Sequence, residues 1–148
     1  MTLYAETSAL LRWLFDQAQA ATVLEHLKGS ARVVCSRLTL VELRRVVRRA
    51  VASAEIEERQ GETLLATVAR ASARWTILEI TRDVTDRVES RFPREPLRTL
   101  DAIHLASAVV LQQSLPDLHV LSVDDRVREN ASLLGFEVLP ADIEPAVG

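Results

Sequence analysis

Four acidic residues lie at positions from which their carboxylates can approach one another. Glu6 follows the short apolar run TLYA, and Asp124 follows the run LHVLSV. Glu42 and Asp101 each lie in an early turn of a segment with helical spacing. In open α/β sheets, ligands bind where strands end and the next helices begin. Carboxylates gathered there would raise one another's pKa unless a divalent cation joined them, and an all-oxygen site suits Mg²⁺ or Mn²⁺.

Three of these acids also have an ordinary structural interpretation. Asp101 lies in a helix that is apolar on nearly all sides and therefore buried, but a cap at Thr99 would place it in the first turn, where the helix dipole favours an anion. Glu42 lies beside Arg45, as a surface glutamate would. Asp124 precedes a helix, where aspartate is a common N-cap. Only the four acids taken together predict the metal site. We expect no basic residue to lie beside each of them.

Polar residues near the acids are predicted to support them. His104 follows Asp101 by one helical turn, and we interpret it as a buried, hydrogen-bonded histidine that orients its neighbours, because no second Asp-x-x-His copy suggests a metal pair. Thr7 or Ser8 is predicted to cap a helix that begins at Ala9. Ser122 is predicted to share the cap of the helix after Asp124 or to hydrogen-bond an acid.

The composition is that of an ordinary globular protein. The 148 residues are 48% hydrophobic and 26% charged, which predicts one domain over residues 1–148 and excludes general disorder. A net charge of -3 means that any case for nucleic-acid binding rests on local clusters. Cys35 alone provides no disulfide framework. Without an apolar stretch of membrane-spanning length or a signal-peptide pattern, we expect a cytoplasmic protein.

Short apolar runs alternate with longer helical segments along the chain. The runs TLYA, RVVCS, WTILEI, LHVLSV and FEVLP predict five strands. Helices are predicted at residues 8–15, 17–28, 37–53, 55–73, 82–91, 99–114 and 124–134, with Gly29 and Gly135 as C-terminal caps. This alternation predicts an α/β fold, with a mainly parallel five-stranded sheet flanked by helices on both faces. The two helices at about 37–73 are too long for a simple crossover and are predicted to form a helical hairpin.

Two groups of arginines could contact phosphates. The first covers the side of its helix away from the core and consists of Arg44, Arg45, Arg48 and Arg49. We predict RNA contact for this group, because the guanidinium fork suits phosphate. The second approaches a proline-containing loop and consists of Arg87, Arg91, Arg94 and Arg98; RNA contact and simple solubilisation stay open for it. Trp13 and Trp75 are predicted to make core or dimer contacts.

The sequence resembles the PIN-domain nucleases, and among them the toxins of the VapC type. The matching segments are YAETSALLRWL, SRLTLVELRRVVRR, LRTLDAIHLASAVVL and LSVDDRVRENASLLGFEVL, in the family's order from Leu3 to Pro140. The family usually has aspartate where this chain has Glu6, whose side chain is one methylene longer. The resemblance implies a PIN-like three-layer sandwich, in agreement with the alternation of strands and helices.

The resemblance also implies a function. Carried over by position, it makes Glu6, Glu42, Asp101 and Asp124 the acidic catalytic and metal site, supported by Thr7, Ser8, Ser122 and, secondarily, Asp125. It implies an endoribonuclease that uses Mg²⁺ or Mn²⁺ and leaves 5′-phosphate and 3′-hydroxyl ends. It further implies a homodimer and a small cognate antitoxin, similar to VapB, that covers the acidic site.

Two other classes of protein remain as alternatives. The first is a catalytically weakened RNA-binding or regulatory module on the same fold, with Glu6 marking the change in the site. The second is a phosphoacceptor domain of receiver type, which also carries clustered acids. A receiver domain needs a lysine near its end, and the only lysine of this chain is Lys28. RNA cleavage, or RNA binding without cleavage, distinguishes the nuclease from the binding module.

Overall fold

A computed structural model describes residues 1–145; the last three residues of the predicted 1–148 domain lie outside this range. The five strands are β1 (Thr2–Ala5), β2 (Arg32–Ser36), β3 (Thr76–Leu78), β4 (Leu118–Leu121) and β5 (Glu137–Leu139). The helices are α1 (Thr7–Leu14), α2 (Ala20–Gly29), α3 (Arg37–Ala52), α4 (Glu58–Ser72), α5 (Arg82–Val88), α6 (Thr99–Gln112) and α7 (Asp125–Leu133). Helices separate the strands as predicted: two lie between β1 and β2, two between β2 and β3, two between β3 and β4, and one between β4 and β5. The predicted hairpin is the pair α3 and α4.

The five strands form one sheet in the order β3-β2-β1-β4-β5, and every pairing is parallel. The prediction of a mainly parallel sheet is therefore confirmed in its strongest form. β1 is the central strand and all four of its residues are buried. In a parallel sheet covered on both faces, both sets of alternating side chains are removed from water, which explains the nearly continuous apolar runs.

Helices cover the two faces of the sheet as separate layers. Leu3 and Ala5 of β1 point into a core shared with α1–α4, whereas Tyr4 points into a second core shared with α5–α7. This alternation follows from the period of two residues along a strand. The result is a three-layer sandwich, as predicted. The hairpin packs closely, since a Cβ built on Gly61 of α4 would lie 2.5 Å from Val51 Cγ2 of α3.

Some predicted details were wrong. α1 begins at Thr7 rather than Ala9, with Glu6 at its N-cap position and no side-chain cap, because the Thr7 and Ser8 hydroxyls bond elsewhere. Leu100 is 48% exposed, so α6 is not buried on all sides. Gly29 is the last residue of α2 rather than its cap. Gly135, at a φ of 94°, does take the left-handed position after α7 that glycine favours.

No helix formed by residues 1–145 combines the length and apolar character needed to cross a membrane.

Candidate active site

Glu6 lies at the carboxyl end of the central strand, where the sheet directs it into the protein. Its backbone N–H donates to Leu121 O of β4 at 2.9 Å, which continues the parallel ladder one residue beyond β1. The carboxylate is consequently held between β1 and β4, and its side chain is only 6% exposed. A carboxylate buried to this extent is costly unless other groups hydrogen-bond to it.

Two serines provide those hydrogen bonds. Ser122 Oγ donates to Glu6 Oε2 at 2.8 Å, and Ser8 Oγ donates to the same oxygen. Each serine in turn accepts a backbone N–H, Ser8 from Val123 at 3.0 Å and Ser122 from Asp124 at 3.2 Å. The serines therefore connect Glu6 to the turn after β4. The predicted hydrogen bond from Ser122 to an acid is confirmed.

His104 of α6 is the centre of a second group of polar side chains. The residue is 2% exposed, as predicted for a buried histidine. Its Nε2 lies 2.7 Å from Glu42 Oε1, 3.2 Å from Thr7 Oγ1 and 4.0 Å from Glu6 Oε1. Thr7 also donates to Glu42 Oε1 at 2.7 Å. Glu42 thus turns inward to α1 and α6 instead of pairing with Arg45 on the surface of α3.

The environment moves the pKa values of the two glutamates in opposite directions. Burial raises the pKa of Glu6, and the charge of His104 with the two serine hydrogen bonds offsets this only in part. Burial also acts to raise the pKa of Glu42, but the hydrogen bond and charge of His104, together with Thr7, lower it overall. Burial is the largest single influence on His104 and acts to lower its pKa. The neighbouring carboxylates outweigh it together, so the pKa of His104 is raised. As the pH falls, Glu6 becomes protonated before Glu42.

Asp101 lies in the first turn of α6, as predicted, and its side chain is 12% exposed. Arg98 Nε donates to Asp101 Oδ2 at 3.2 Å, and 73% of the Arg98 side chain is exposed. The expectation that no basic residue accompanies each acid was therefore wrong for three of the four acids: Asp101 lies beside Arg98, and both glutamates lie beside His104. The N-cap position of α6 belongs to Arg98 rather than Thr99.

Asp124 is the N-cap of α7. Its Oδ1 accepts from the backbone N–H groups of Arg126 and Val127, both at 3.0 Å, so the structural interpretation of this acid is correct. Asp125 is the first residue of the helix and is exposed. Capping uses one oxygen of Asp124 and leaves the other without a hydrogen bond to residues 1–145.

The four acids share one feature that bears on metal binding. Each has one carboxylate oxygen bonded to the protein and a second oxygen without a hydrogen bond to the described residues; these second oxygens are Glu6 Oε1, Glu42 Oε2, Asp101 Oδ1 and Asp124 Oδ2. None of them is fully buried, because no side-chain polar atom within residues 1–145 is both buried and unpartnered. Carboxylate oxygens that lack a protein partner and are not fully buried fit a hard cation such as Mg²⁺.

The same residues do not by themselves form a complete cage. Across residues 1–145, no group of three or more Asp, Glu, His or Cys side chains is arranged as a metal site. Structural zinc sites have preformed ligand sets, but Mg²⁺ usually keeps several waters and needs only one or two carboxylates from the protein. The donor chemistry therefore fits Mg²⁺ or Mn²⁺ held largely through water, and does not fit a closed structural site.

The two arginine groups differ in their surroundings. Arg44, Arg45, Arg48 and Arg49 are exposed on α3, and none takes part in an ion pair between described residues. In the second group, Arg94 pairs with Glu129, Arg98 pairs with Asp101, and Arg87 stacks over the Phe92 ring at 4.3 Å. Structural partners therefore account for three of these four arginines, whereas the α3 group remains available for an external ligand.

The two tryptophans lie far from the acids along the fold. Trp13 and Trp75 are partly buried, pack against the core and have ring centroids 6.4 Å apart, which agrees with the predicted core contacts. They line a cavity of about 640 Å³ near the start of β2 and β3, which is the sheet edge opposite the acids. Its lining contains Lys28, Arg32 and Arg74 but no acidic residue.

Sequence reasoning missed two residues of the polar network. Tyr4 Oη lies 2.9 Å from His104 Nδ1, and Thr39 Oγ1 lies 3.1 Å from Thr7 Oγ1. Thr39 precedes Glu42 by three residues, so helical spacing alone places both on neighbouring parts of one face. The only signal for Tyr4 was a hydroxyl within an otherwise apolar strand, since a buried tyrosine usually needs a partner for its oxygen.

Comparison with known proteins places this chain in a family. The family described as PIN domain matches residues 3–133. Ribonuclease VapC35 of Mycobacterium tuberculosis is 30% identical over 139 residues, which cover 93% of this chain and 95% of the relative. Ribonuclease VapC46 of the same organism is 30% identical over 137 residues, with the same coverage of both chains. The chain therefore belongs to the PIN-domain family, and within it to the VapC type.

Solved structures agree with the fold. A toxin–antitoxin complex from Klebsiella pneumoniae contains a chain that superimposes with a TM-score of 0.64 at 19% identity, covering 97% of this chain and all of the other. At this identity the likeness concerns the fold alone. The three-layer parallel architecture thus also occurs in that complex.

Capping and charge at Asp124 can be separated by two substitutions. We expect Asp124→Asn to keep the free energy of unfolding within about 0.5 kcal/mol, because asparagine caps helices as well as aspartate does, and Asp124→Ala to lose about 1 kcal/mol. Urea unfolding of both variants measures the difference. Asp125→Ala, at the neighbouring exposed position, is the control. Equal stability of the Asn and Ala variants would show that the cap does not contribute.

Proposed function

We propose that this protein is a VapC-type endoribonuclease toxin that hydrolyses RNA phosphodiester bonds with Mg²⁺ or Mn²⁺. The observation that carries the proposal is the set of four carboxylates, each positioned through one oxygen and each with a second oxygen that makes no hydrogen bond to residues 1–145 and is not fully buried. Relatives named ribonucleases, 30% identical over 93% of the chain, support the reaction and its substrate. A metal-dependent nuclease that acts on RNA needs this type of hard, anionic oxygen site.

The protein's own residues would prepare the site in two halves. Ser8 and Ser122 hold Glu6 by one oxygen, and His104 with Thr7 holds Glu42 by one oxygen. The fixed carboxylates then present their remaining oxygens, with those of Asp101 and Asp124, at the carboxyl edge of the sheet. When bound there, a divalent cation supplies a water of lowered pKa and stabilises charge on the phosphate.

Arg98 is placed to connect the acidic site with its substrate. Its Nε bonds to Asp101, while its two terminal nitrogens make no hydrogen bond to residues 1–145 and the side chain is 73% exposed. A guanidinium in this position can keep one contact with Asp101 and offer its remaining donors to an RNA phosphate. The second arginine group therefore contributes one residue to the proposed site.

A second function is favoured by one observation. Glu6 is buried, its pKa is raised, and its Oε2 is already shared by two serines. A buried glutamate with a raised pKa and one oxygen already hydrogen-bonded binds a cation less readily than an exposed, ionised aspartate would. The alternative is therefore an RNA-binding or regulatory module on the same fold, in which cleavage is weak.

Cleavage assays on purified protein distinguish the two functions. We expect discrete cuts in a mixed cellular RNA pool with Mg²⁺ or Mn²⁺, none with chelator, and 5′-phosphate ends on the products. Asp101→Asn should reduce the rate by at least about 100-fold, because an oxygen ligand of the ion is weakened while the first turn of α6 is kept.

The outcome for Asp101→Asn is interpretable only if the variant remains folded, which circular dichroism and urea unfolding establish. Asp117→Asn, an exposed acid before β4 at the opposite edge of the sheet, serves as the matched control and should cleave at nearly the unaltered rate. Metal-independent cutting, or full activity of Asp101→Asn, would contradict the assignment. RNA binding without cutting would support the binding module, and Glu6→Asp would then be the variant in which cleavage should appear.

We also propose that the exposed arginines of α3 bind the RNA backbone. Glu42 and these arginines lie on the same helix, so the basic surface adjoins the acidic site. Positive charge beside a carboxylate cluster offsets the repulsion between the cluster and the RNA phosphates. Because the four arginines have no acidic partners among the described residues, little is lost within the protein when they engage a ligand.

The salt dependence of RNA binding tests this surface. In the Asp101→Asn background, replacing Arg44, Arg45, Arg48 and Arg49 by glutamine should weaken binding of single-stranded RNA. The slope of log K against log salt should fall by about 0.7 for every phosphate that the variant no longer neutralises. Arg59→Gln with Arg70→Gln, exposed on the neighbouring helix α4, is the matched control. An unchanged slope in the four-arginine variant would locate RNA binding elsewhere.

The antitoxin partner is proposed to occupy the tryptophan-lined cavity. The K. pneumoniae relative in fold is described as a toxin–antitoxin complex. In this chain, the cavity between α1, α2 and α4 combines apolar walls with Lys28, Arg32 and Arg74, which suits an apolar segment that carries acidic residues. A segment bound there could extend along α1 to the acidic site, in line with the implied inhibition. The homodimer and the cytoplasmic location stay predictions.

Charge reversal at the cavity rim tests the antitoxin surface. Lys28→Glu with Arg74→Glu should weaken binding of the cognate antitoxin at least about tenfold at low salt, because both residues are exposed and reversal replaces attraction by repulsion. Arg59→Glu with Arg70→Glu is the control of equal charge. Calorimetric titration gives the affinity, and light scattering on the same samples gives the number of toxin chains. Equal affinities for both variants would exclude this cavity.

A further inference from the structure

Tyr4 is a buried tyrosine whose hydroxyl contacts the His104 ring of the candidate site. It lies in β1 two residues before Glu6 and is 1% exposed, within the core formed by α5–α7. Its oxygen lies 2.9 Å from His104 Nδ1, and the two rings meet edge to face at 6.2 Å between centroids. A phenylalanine would fill this space equally well, so the hydroxyl needs a reason other than packing.

The other side of the His104 ring faces the carboxylates. Nε2 lies 2.7 Å from Glu42 Oε1, and a carboxylate oxygen at that distance requires a proton on the nitrogen. The hydroxyl of Tyr4 can either donate to Nδ1 or accept from it, so it matches both the neutral ring with Nε2–H and the charged ring. The imidazole is thus bonded at both nitrogens. Rotating it by half a turn would replace both of these contacts by carbon atoms.

We propose that Tyr4 is a positioning residue for the ribonuclease reaction, which holds the His104 ring so that Nε2–H fixes one oxygen of Glu42 and leaves the other oxygen turned to solvent. Tyr4 itself reaches neither RNA nor a metal ligand. This inference rests on the proposed function, since it explains how Glu42 is kept ready for that reaction. Groups that orient a ligand through a histidine commonly change activity by about 10- to 100-fold when removed.

The contacts of Glu42 show why the His104 ring needs a hydrogen bond at Nδ1 as well as at Nε2. Glu42 is on α3, His104 on α6, and these helices cover opposite faces of the sheet. Their meeting at the carboxyl edge depends on the side chains alone. Thr7 bonds to the same Glu42 oxygen from α1, but Thr7 Oγ1 also lies 3.1 Å from Thr39 Oγ1. Tyr4, fixed in the central strand, is the contact that ties the ring to the sheet.

The test compares Tyr4→Phe with the unaltered full-length protein in two measurements. The first is the ¹⁵N spectrum of the histidine side chains at one fixed pH. Only three histidines are present, and His26 of α2 acts as the internal reference. His119 lies on the neighbouring strand β4 in register with Leu3, and its Nδ1 is bonded to Asp117 O. We expect the ring nitrogens of His104 to shift in the variant, with partial loss of the protonated Nε2 form, while the reference signals stay in place.

The second measurement is RNA cleavage. Tyr4→Phe should lower kcat by about tenfold and leave KM for RNA within about twofold, because RNA does not contact the hydroxyl. Val68→Ala, in the core on the other face of the sheet, controls for general loss of stability and is compared at an equal interval below its Tm. In a His104→Leu background, Tyr4→Phe should have no further effect on kcat, since a residue that acts through His104 cannot act without it.

The outcomes separate this inference from the proposed function. Unshifted His104 nitrogens in Tyr4→Phe, a loss of kcat no larger than that of Val68→Ala, or an additive effect in the His104→Leu background would each overturn the role of Tyr4. If the unaltered protein cuts no RNA, the ribonuclease proposal fails. The nitrogen spectrum still decides in that case whether Tyr4 holds the ring.

Discussion

The burial of the Glu6 carboxylate at the end of the central strand is the constraint on which the site depends. A carboxylate that is 6% exposed must be hydrogen-bonded, and the groups that bond to it come from the start of α1 and from the turn after β4. Those same serines accept backbone N–H groups of residues 123 and 124. Satisfying Glu6 therefore also fixes the turn that presents Asp124.

The part of the site around His104 depends on the charges of two glutamates and one histidine. Glu6 and Glu42 both approach His104 Nε2, at 4.0 Å and 2.7 Å, so two acids share one histidine that their proximity favours in its charged form. Glu42 has the closer contact and the lowered pKa, whereas Glu6 keeps a raised one because burial outweighs its partners. The histidine thereby lets two carboxylates coexist near the protein interior. A cation at their open oxygens would relieve the remaining repulsion.

The fold keeps three functions of the proposed toxin on separate surfaces. The acids lie at the carboxyl edge of the sheet, the exposed arginines continue along α3, and the tryptophan-lined cavity opens at the opposite edge. Because the sheet is entirely parallel, every loop that follows a strand reaches the first edge and every loop that precedes one reaches the second.

Much of this organisation can be read from the sequence. The alternation of apolar runs and helical segments predicted all five strands and all seven helices, because burial on both faces of a parallel sheet leaves a pattern that needs only local periodicity to detect. The same reasoning put Glu6 and Asp124 after strands and gave the N-cap as the structural interpretation of Asp124, since capping depends on residues two and three positions away.

Contacts between distant segments were decided only by the tertiary structure. Thr7 or Ser8 was predicted to cap α1, but the Thr7 hydroxyl bonds to Glu42, 35 residues away, and Ser8 bonds to Glu6 and to the turn after β4. No local pattern indicates the contact between Thr7 and Glu42. Tyr4 and His104 are separated by 100 residues, and their hydrogen bond exists because β1 and α6 pack in the same core. The sequence by itself determined which elements form and which acids reach the sheet edge. The tertiary structure decided which hydrogen bonds each acid makes, because those depend on the packing of helices against both faces of the sheet.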